Sequence, residues 1–163
     1  PSDIAMPALA RPLLSKHNSI EPFRQADVER DLQDLQNLQT RWRSLRPGRK
    51  LGEMMDMAAV TESLSTLDRL SRPGRASDVA RIIDRLLALY PSRGEAPESV
   101  VQDWVRVLRT EPIASVWATY ERFIRKPGQW APSLGDFLCG VQAQAASVDS
   151  IRFSLEGSKS WPI

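Results

Sequence analysis

The chain has 163 residues, of which 42% are hydrophobic and 26% charged, and its formal net charge is +2. This apolar share is enough to bury a core, which excludes a wholly disordered chain, and the nearly balanced charge is not by itself a signature of nucleic-acid binding. The single cysteine, Cys139, excludes an internal disulfide, and the single histidine, His17, excludes most zinc sites and histidine-based triads. No apolar run reaches the roughly 18 residues of a membrane span and no signal-peptide pattern is present, so we expect a cytoplasmic protein.

Residues 1–25 contain scattered prolines, which deny a helix or strand its backbone hydrogen bonds, and we predict a flexible arm there. A helix is predicted over 26–45, because apolar residues recur at alternating steps of three and four. These residues are Val28, Leu32, Leu35, Leu38, Trp42 and Leu45. A second helix is predicted over 51–70, with Met54 and Met57 among its apolar positions. The short loop between the two helices predicts an antiparallel hairpin, the unit 26–76.

Four further helices are predicted in the unit 77–147, with Ser77 as the N-cap of the first and with the last opening at Ser133. Their apolar stripes hold most of the aromatic residues, which we assign to the core. These are Trp104, Trp117, Tyr120, Phe123 and Trp130. Apolar residues become sparse over 148–163, where we predict a tail. The predicted fold is all-α: an N-terminal helical hairpin plus a compact bundle of about four helices, with a flexible N-terminal arm and C-terminal tail.

No residue pattern points to catalysis. Phosphate-binding glycine motifs are absent from the sequence, and Cys139 stands among apolar neighbours without a base to activate it, so we predict a buried, inert thiol. Asp136 lies early in a helix, where a carboxylate complements the helix dipole. We therefore predict no enzyme activity, no cofactor and no metal site.

Each of two basic segments surrounds a Pro-Gly pair that ends a predicted helix. Their members are Arg41, Arg43, Arg46, Arg49 and Lys50 in the first and Arg69, Arg72 and Arg75 in the second. Such clusters bind phosphates, but basic residues near helix C-termini also stabilise the helix dipole, and Trp42 lies on the apolar stripe. We favour a core Trp42 and dipole stabilisation. A DNA-binding module that uses these side chains, dimerised through the helix 26–45, is the alternative hypothesis.

A pattern of prolines, aromatic residues and aliphatic residues runs through residues 79–141. Its members are Leu89-Tyr90-Pro91, Trp104, Leu108, Glu111-Pro112, Val116, Trp130-Ala131-Pro132-Ser133 and Phe137. This pattern resembles that of the phage replicative-helicase loader/inhibitor family, which consists of small helical proteins.

The resemblance implies a non-enzymatic protein-binding factor that delivers or inhibits a DnaB-type replicative helicase by direct contact, without an ATPase of its own. In this family the partner-binding segment includes the flexible C-terminal part, which implies Arg152, Phe153 and Trp161 as partner-binding residues here. The hairpin 26–70 has no counterpart in the family pattern. An adaptor or inhibitor of another host complex is therefore a further alternative.

Overall fold

The computed structural model describes residues 20–90, 98–126, 128 and 131–156. Within these residues the secondary structure is six α-helices and one 3₁₀ turn, without a β-strand, and the predicted all-α class is confirmed. The helices are α1 Gln25–Arg43, α2 Met57–Leu70, α3 Ala76–Ala88, α4 Glu98–Leu108, α5 Ile113–Arg125 and α6 Leu134–Glu156. The 3₁₀ turn, Leu51–Met54, lies between α1 and α2.

Local side-chain chemistry sets several helix boundaries. The carboxylate of Asp56 accepts a hydrogen bond from the Ala59 N–H at 2.7 Å, which satisfies a free donor in the first turn of α2. Ser133, where the last helix is predicted to open, precedes α6, and its Oγ accepts a hydrogen bond from the Asp136 N–H at 3.1 Å. Gly48 has a φ of 86°, a backbone conformation that side chains disfavour, and it lies in the turn that separates α1 from the 3₁₀ turn.

The core consists of two hydrophobic clusters joined by α6. The first cluster contains buried residues of α3, α4 and α5 together with Phe137 and Val141 of α6. The second contains α1, the 3₁₀ turn and α2, together with Ala114 of α5 and the C-terminal half of α6. At 1.5 Å per residue, α6 is about 35 Å long, which is enough to cross both clusters. The predicted hairpin therefore packs its apolar side against the last helix.

The C-terminal half of α6 corrects the predicted tail boundary. The prediction placed the tail from residue 148, but α6 continues to Glu156 and buries Val148, Ile151 and Leu155. These residues recur at steps of three and four, so they face one side of the helix and cover the second cluster. The tail prediction for residues 157–163 lies outside the described residues, and the wider division into domains stays a prediction.

The apolar stripes of the hairpin differ from prediction at three positions. Trp42 is 37% exposed, because α1 ends one residue later and the following chain brings Leu45 and Leu51 onto the second cluster instead. Met54 and Met57 are exposed as well, since α2 begins only at Met57. The predictions of a core Trp42 and of apolar core positions at Met54 and Met57 are therefore wrong.

In the second half of the chain, Trp104, Trp117 and Tyr120 are buried as predicted, and Phe123 is partly buried. The prediction for Trp130 lies outside the described residues. Cys139 is exposed, contrary to prediction, because Phe137 and Val141 turn one face of α6 inward and position 139 falls on the opposite side. The predicted Ser77 cap is also wrong, since Arg75 occupies the N-cap position.

The end of the predicted arm contacts the bundle. The Phe23 N–H donates to Asp78 Oδ2 at 3.0 Å, and the Phe23 ring lies 5.3 Å from that of Trp117. These contacts fix the point at which α1 begins. The remainder of the arm prediction, residues 1–19 with His17, lies outside the described residues.

Candidate interaction surfaces

The exposed ring of Phe153 stands on a rigid part of the fold. The side chain is 69% exposed, although its neighbours Ser154 and Leu155 on α6 are buried. The Leu51 N–H donates to the buried Ser154 Oγ at 2.8 Å, which fixes the 3₁₀ turn to α6. Lys50 Nζ consequently lies 4.8 Å from the centroid of the Phe153 ring, a cation–π contact.

The 3₁₀ turn carries a second exposed apolar side chain, which contacts Arg49, the residue before Lys50. Met54 is 52% exposed, and its Sδ lies 3.9 Å from Nη2 of Arg49. The same guanidinium pairs with Glu53 at 3.6 Å. We call Arg49, Lys50, Met54 and Phe153 the Phe153 surface. It consists of apolar side chains bordered by two cations.

The other two residues predicted to bind a partner differ from Phe153. Arg152 Nη1 lies 2.5 Å from Asp68 Oδ1, and Nη2 donates to Ser71 Oγ at 3.1 Å, so this guanidinium ties α6 to the end of α2. Trp161 lies outside the described residues. Of the three predicted residues, Phe153 is therefore the one that the structure describes as exposed.

The arginines of the second basic segment make contacts within the chain. Arg69 forms a bidentate pair with the buried Asp31, with Nε 2.9 Å from Oδ2 and Nη2 3.0 Å from Oδ1. This hydrogen-bonded carboxylate raises the pKa of Arg69 above its already high ordinary value. Arg75 Nε donates to the Ile20 carbonyl at 2.7 Å, and Arg72 lies 4.0 Å from Glu21. Arg69 therefore joins α2 to α1, and Arg72 and Arg75 join the turn after α2 to the segment before α1.

The first basic segment is more open. Arg41, Arg43 and Arg46 are exposed. Arg43 lines a cleft of about 620 Å³ between α1 and α5, together with Arg122 and Arg125. We call it the α1–α5 cleft.

Glutamine amides and two acids, Glu29 and Glu121, also line the α1–α5 cleft, and Arg125 lies 3.9 Å from Glu121. The sequence prediction missed Arg122 and Arg125. The sequence feature that could have indicated them is a pair of arginines, spaced by three residues, in the last turn of α5.

The residues that carry the family resemblance are mostly core residues. Tyr90, Trp104, Leu108, Val116 and Phe137 are all buried in the first cluster. Their pattern is therefore explained by packing of α3 to α6, and these side chains are not available to a partner.

Within the described ranges, no group of three or more His, Cys, Asp or Glu side chains is placed to hold a metal ion. None of the described helices combines the length and the apolar character needed to cross a membrane.

No protein-family model, curated protein or solved structure matches this chain. The resemblance to helicase loaders and inhibitors therefore depends on the sequence pattern alone.

Proposed function

We propose that this chain is a non-enzymatic protein-binding factor that contacts its partner through the Phe153 surface. The observation that carries the proposal is a large aromatic side chain, 69% exposed, on a helix whose opposite side is buried. Interface hot spots are enriched in aromatic residues and arginine, and a side chain on a fixed backbone loses little conformational entropy on binding. The surface fits a partner that offers an apolar side chain beside an acidic group, which would complement Lys50.

The partner that we propose first is a DnaB-type replicative helicase. The support for this choice is the sequence resemblance, which implies a C-terminal partner-binding part, and Phe153 belongs to the last helix. The proposal assigns no role in binding to Arg152, whose guanidinium is engaged by Asp68.

The test is binding of the full chain to a purified DnaB-type helicase, measured as wild type and as Phe153→Ala. Since an aromatic hot spot contributes more than 1 kcal/mol, we expect Phe153→Ala to weaken binding about tenfold. The matched control is Val100→Ser, another exposed apolar side chain, on a different helix. Equal affinity of wild type and Phe153→Ala would contradict the assignment of the Phe153 surface as the binding site. Absence of binding by the wild type would contradict the choice of the helicase as partner.

A second candidate function is DNA binding through the α1–α5 cleft. The observation that favours it is the convergence of Arg43, Arg122 and Arg125 from two helices on one cleft. Guanidinium groups bind phosphate bidentately, and the glutamine amides beside them add hydrogen-bond donors. The competing explanation is that each arginine stabilises the C-terminal dipole of its own helix.

Salt dependence separates these two roles of the cleft arginines. Each phosphate contact contributes about −0.9 to the slope of log affinity against log salt concentration, so Arg43→Gln with Arg122→Gln should reduce the slope by about 2. Arg30→Gln, on α1 but outside the cleft, is the control and should leave the slope unchanged, because it removes no phosphate contact. DNA binding with an unchanged slope in the double variant, or no binding by wild type at low salt, would contradict this function.

A further inference from the structure

The helices α3 and α4 form an antiparallel pair. The N–H of Ile113, the first residue after the short loop that follows α4, donates to the carbonyl of Arg72, four residues before α3, at 3.1 Å. Pro73 and Pro112 form an antiparallel bridge at the same place. The C-terminal end of α4 therefore lies beside the N-terminal end of α3. Because α3 and α4 also contact each other directly, and these two ends are adjacent, the helices run in opposite directions.

The outer side of this pair is a groove of about 540 Å³. Its floor consists of small and branched apolar side chains: Ala76 and Ala80 of α3 with Val101 and Val105 of α4. Ala80, Val101 and Val105 are half-buried, and Ala76 is exposed. Alanines spaced by four residues let another helix approach closely, so the groove has the shape that a helix occupies. We call it the α3–α4 groove.

The two ends of the α3–α4 groove carry opposite charge. Asp84 of α3 and Glu98 of α4 line one end, whereas Arg106 of α4 and Arg109, the residue directly after α4, line the other. Glu98 and Arg106 are separated by eight positions on one helix, which is about 12 Å at 1.5 Å per residue. Among the described residues, neither Asp84 nor Arg109 has an ion-pair partner within 4.0 Å, and Arg106 pairs with Asp103 at 3.2 Å. The groove is therefore dipolar.

We propose that the α3–α4 groove binds a second copy of this chain, related to the first by a two-fold axis. A two-fold axis perpendicular to the length of the groove joins the same surface of both copies with the two grooves running in opposite directions, so it requires a surface that complements its own reversal. The dipolar groove meets this condition, because reversal brings the acidic end of one copy to the basic end of the other. A groove with the same charge at both ends would meet like charge at both ends.

Two antiparallel helix pairs that pack in this way form a four-helix bundle, which is a common arrangement of amphipathic helices. The half-buried valines of both copies would then be covered. This dimer differs from one formed through α1, since Leu35 and Leu38 of α1 are already buried inside the chain. Phe153 is not part of this dimer interface. An experiment that contradicts the proposed partner binding therefore leaves the dimer proposal untouched, and the reverse also holds.

The test is the mass of the full chain in solution as a function of concentration, by sedimentation equilibrium, for wild type and two charge-reversed variants. Arg106→Glu with Arg109→Glu makes both groove ends acidic, and Asp84→Arg with Glu98→Arg makes both ends basic. We expect wild type to dimerise and each variant alone to dissociate at least tenfold more readily. An equimolar mixture of the two variants should form a heterodimer, because opposite charges then face each other at both ends.

Circular dichroism and thermal unfolding of each variant establish that it is folded, and the heterodimer itself is a further proof of folding. A wild type that stays monomeric at its highest soluble concentration would overturn the proposal. A wild-type dimer that both variants retain, or a mixture that stays monomeric, would overturn it too, as would occupation of the groove by a different protein.

Discussion

Replacing Gly74 with alanine is expected to reduce the free energy of unfolding by about 3 kcal/mol, at the upper end of the effects of overpacking a core. A β-carbon at position 74 would lie 2.3 Å from Cδ1 and 2.7 Å from Cβ of Ile113. The terminal carbon of Ile113 can rotate away, but its β-carbon moves only with the backbone. That backbone is held by the hydrogen bond to the Arg72 carbonyl and by the start of α5.

The matched control is Gly135→Ala, because the nearest atom to a β-carbon there is Ser133 Oγ at 3.9 Å. Gly135 lies in the first turn of α6, where alanine is a better helix former, so stability should stay constant or rise by at most about 1 kcal/mol. Urea unfolding of wild type and both variants gives the comparison, with an unchanged m-value showing that the two states remain the same. Equal midpoints for the two variants would show that Gly74 and Ile113 do not need this close approach.

The contact between Gly74 and Ile113 also shows why the sequence predicts where helices form more readily than how they pack. Periodic apolar residues such as Val79, Ile83 and Leu86 predict α3, because one helical face must be buried wherever the helix packs. Proline and glycine punctuation predicts where helices stop. That the Gly74 turn meets the Pro112 turn is a tertiary fact, and no local pattern contains it.

The wrong predictions have the same origin. The apolar neighbours of Cys139 predict a core position, but only one face of α6 is covered there. The residues Val148, Ile151 and Leu155 have helical spacing, although small and polar residues separate them.

The candidate surfaces were predictable only in part. Phe153 was singled out from the sequence, but as a member of a tail, whereas its rigidity comes from buried neighbours and from the hydrogen bond of Ser154 to the 3₁₀ turn. Arg43 and Arg122 are distant in the sequence, and the packing of α1 near α5 brings them to one cleft. The dipolar α3–α4 groove likewise depends on the antiparallel direction of two helices.

Replacing Arg69 with methionine is expected to destabilise the protein by about 2 kcal/mol, since it leaves the Asp31 carboxylate without its cation. Side-chain exposure is 6% for Asp31 and 44% for Arg69. A fully buried pair that loses one partner is destabilised by about 3–5 kcal/mol, and partial exposure of Arg69 lowers our expectation below that range. Arg30→Met is the control. Its pair with Asp27 is 3.5 Å long with both side chains more than half exposed, and its loss should change stability by at most about 0.5 kcal/mol.

A double variant separates the ion pair from the packing that surrounds it. Asp31→Leu combined with Arg69→Met removes both charges and offers α1 and α2 an apolar contact, so its stability should return to within about 1 kcal/mol of wild type. Urea unfolding of the wild type, the two single variants and the double variant gives the coupling between these positions. A double variant as unstable as the sum of the single ones would mean that the two side chains act independently. Because this pair joins α1 to α2, recovery in the double variant would instead identify desolvation of Asp31 as the reason that the hairpin needs Arg69.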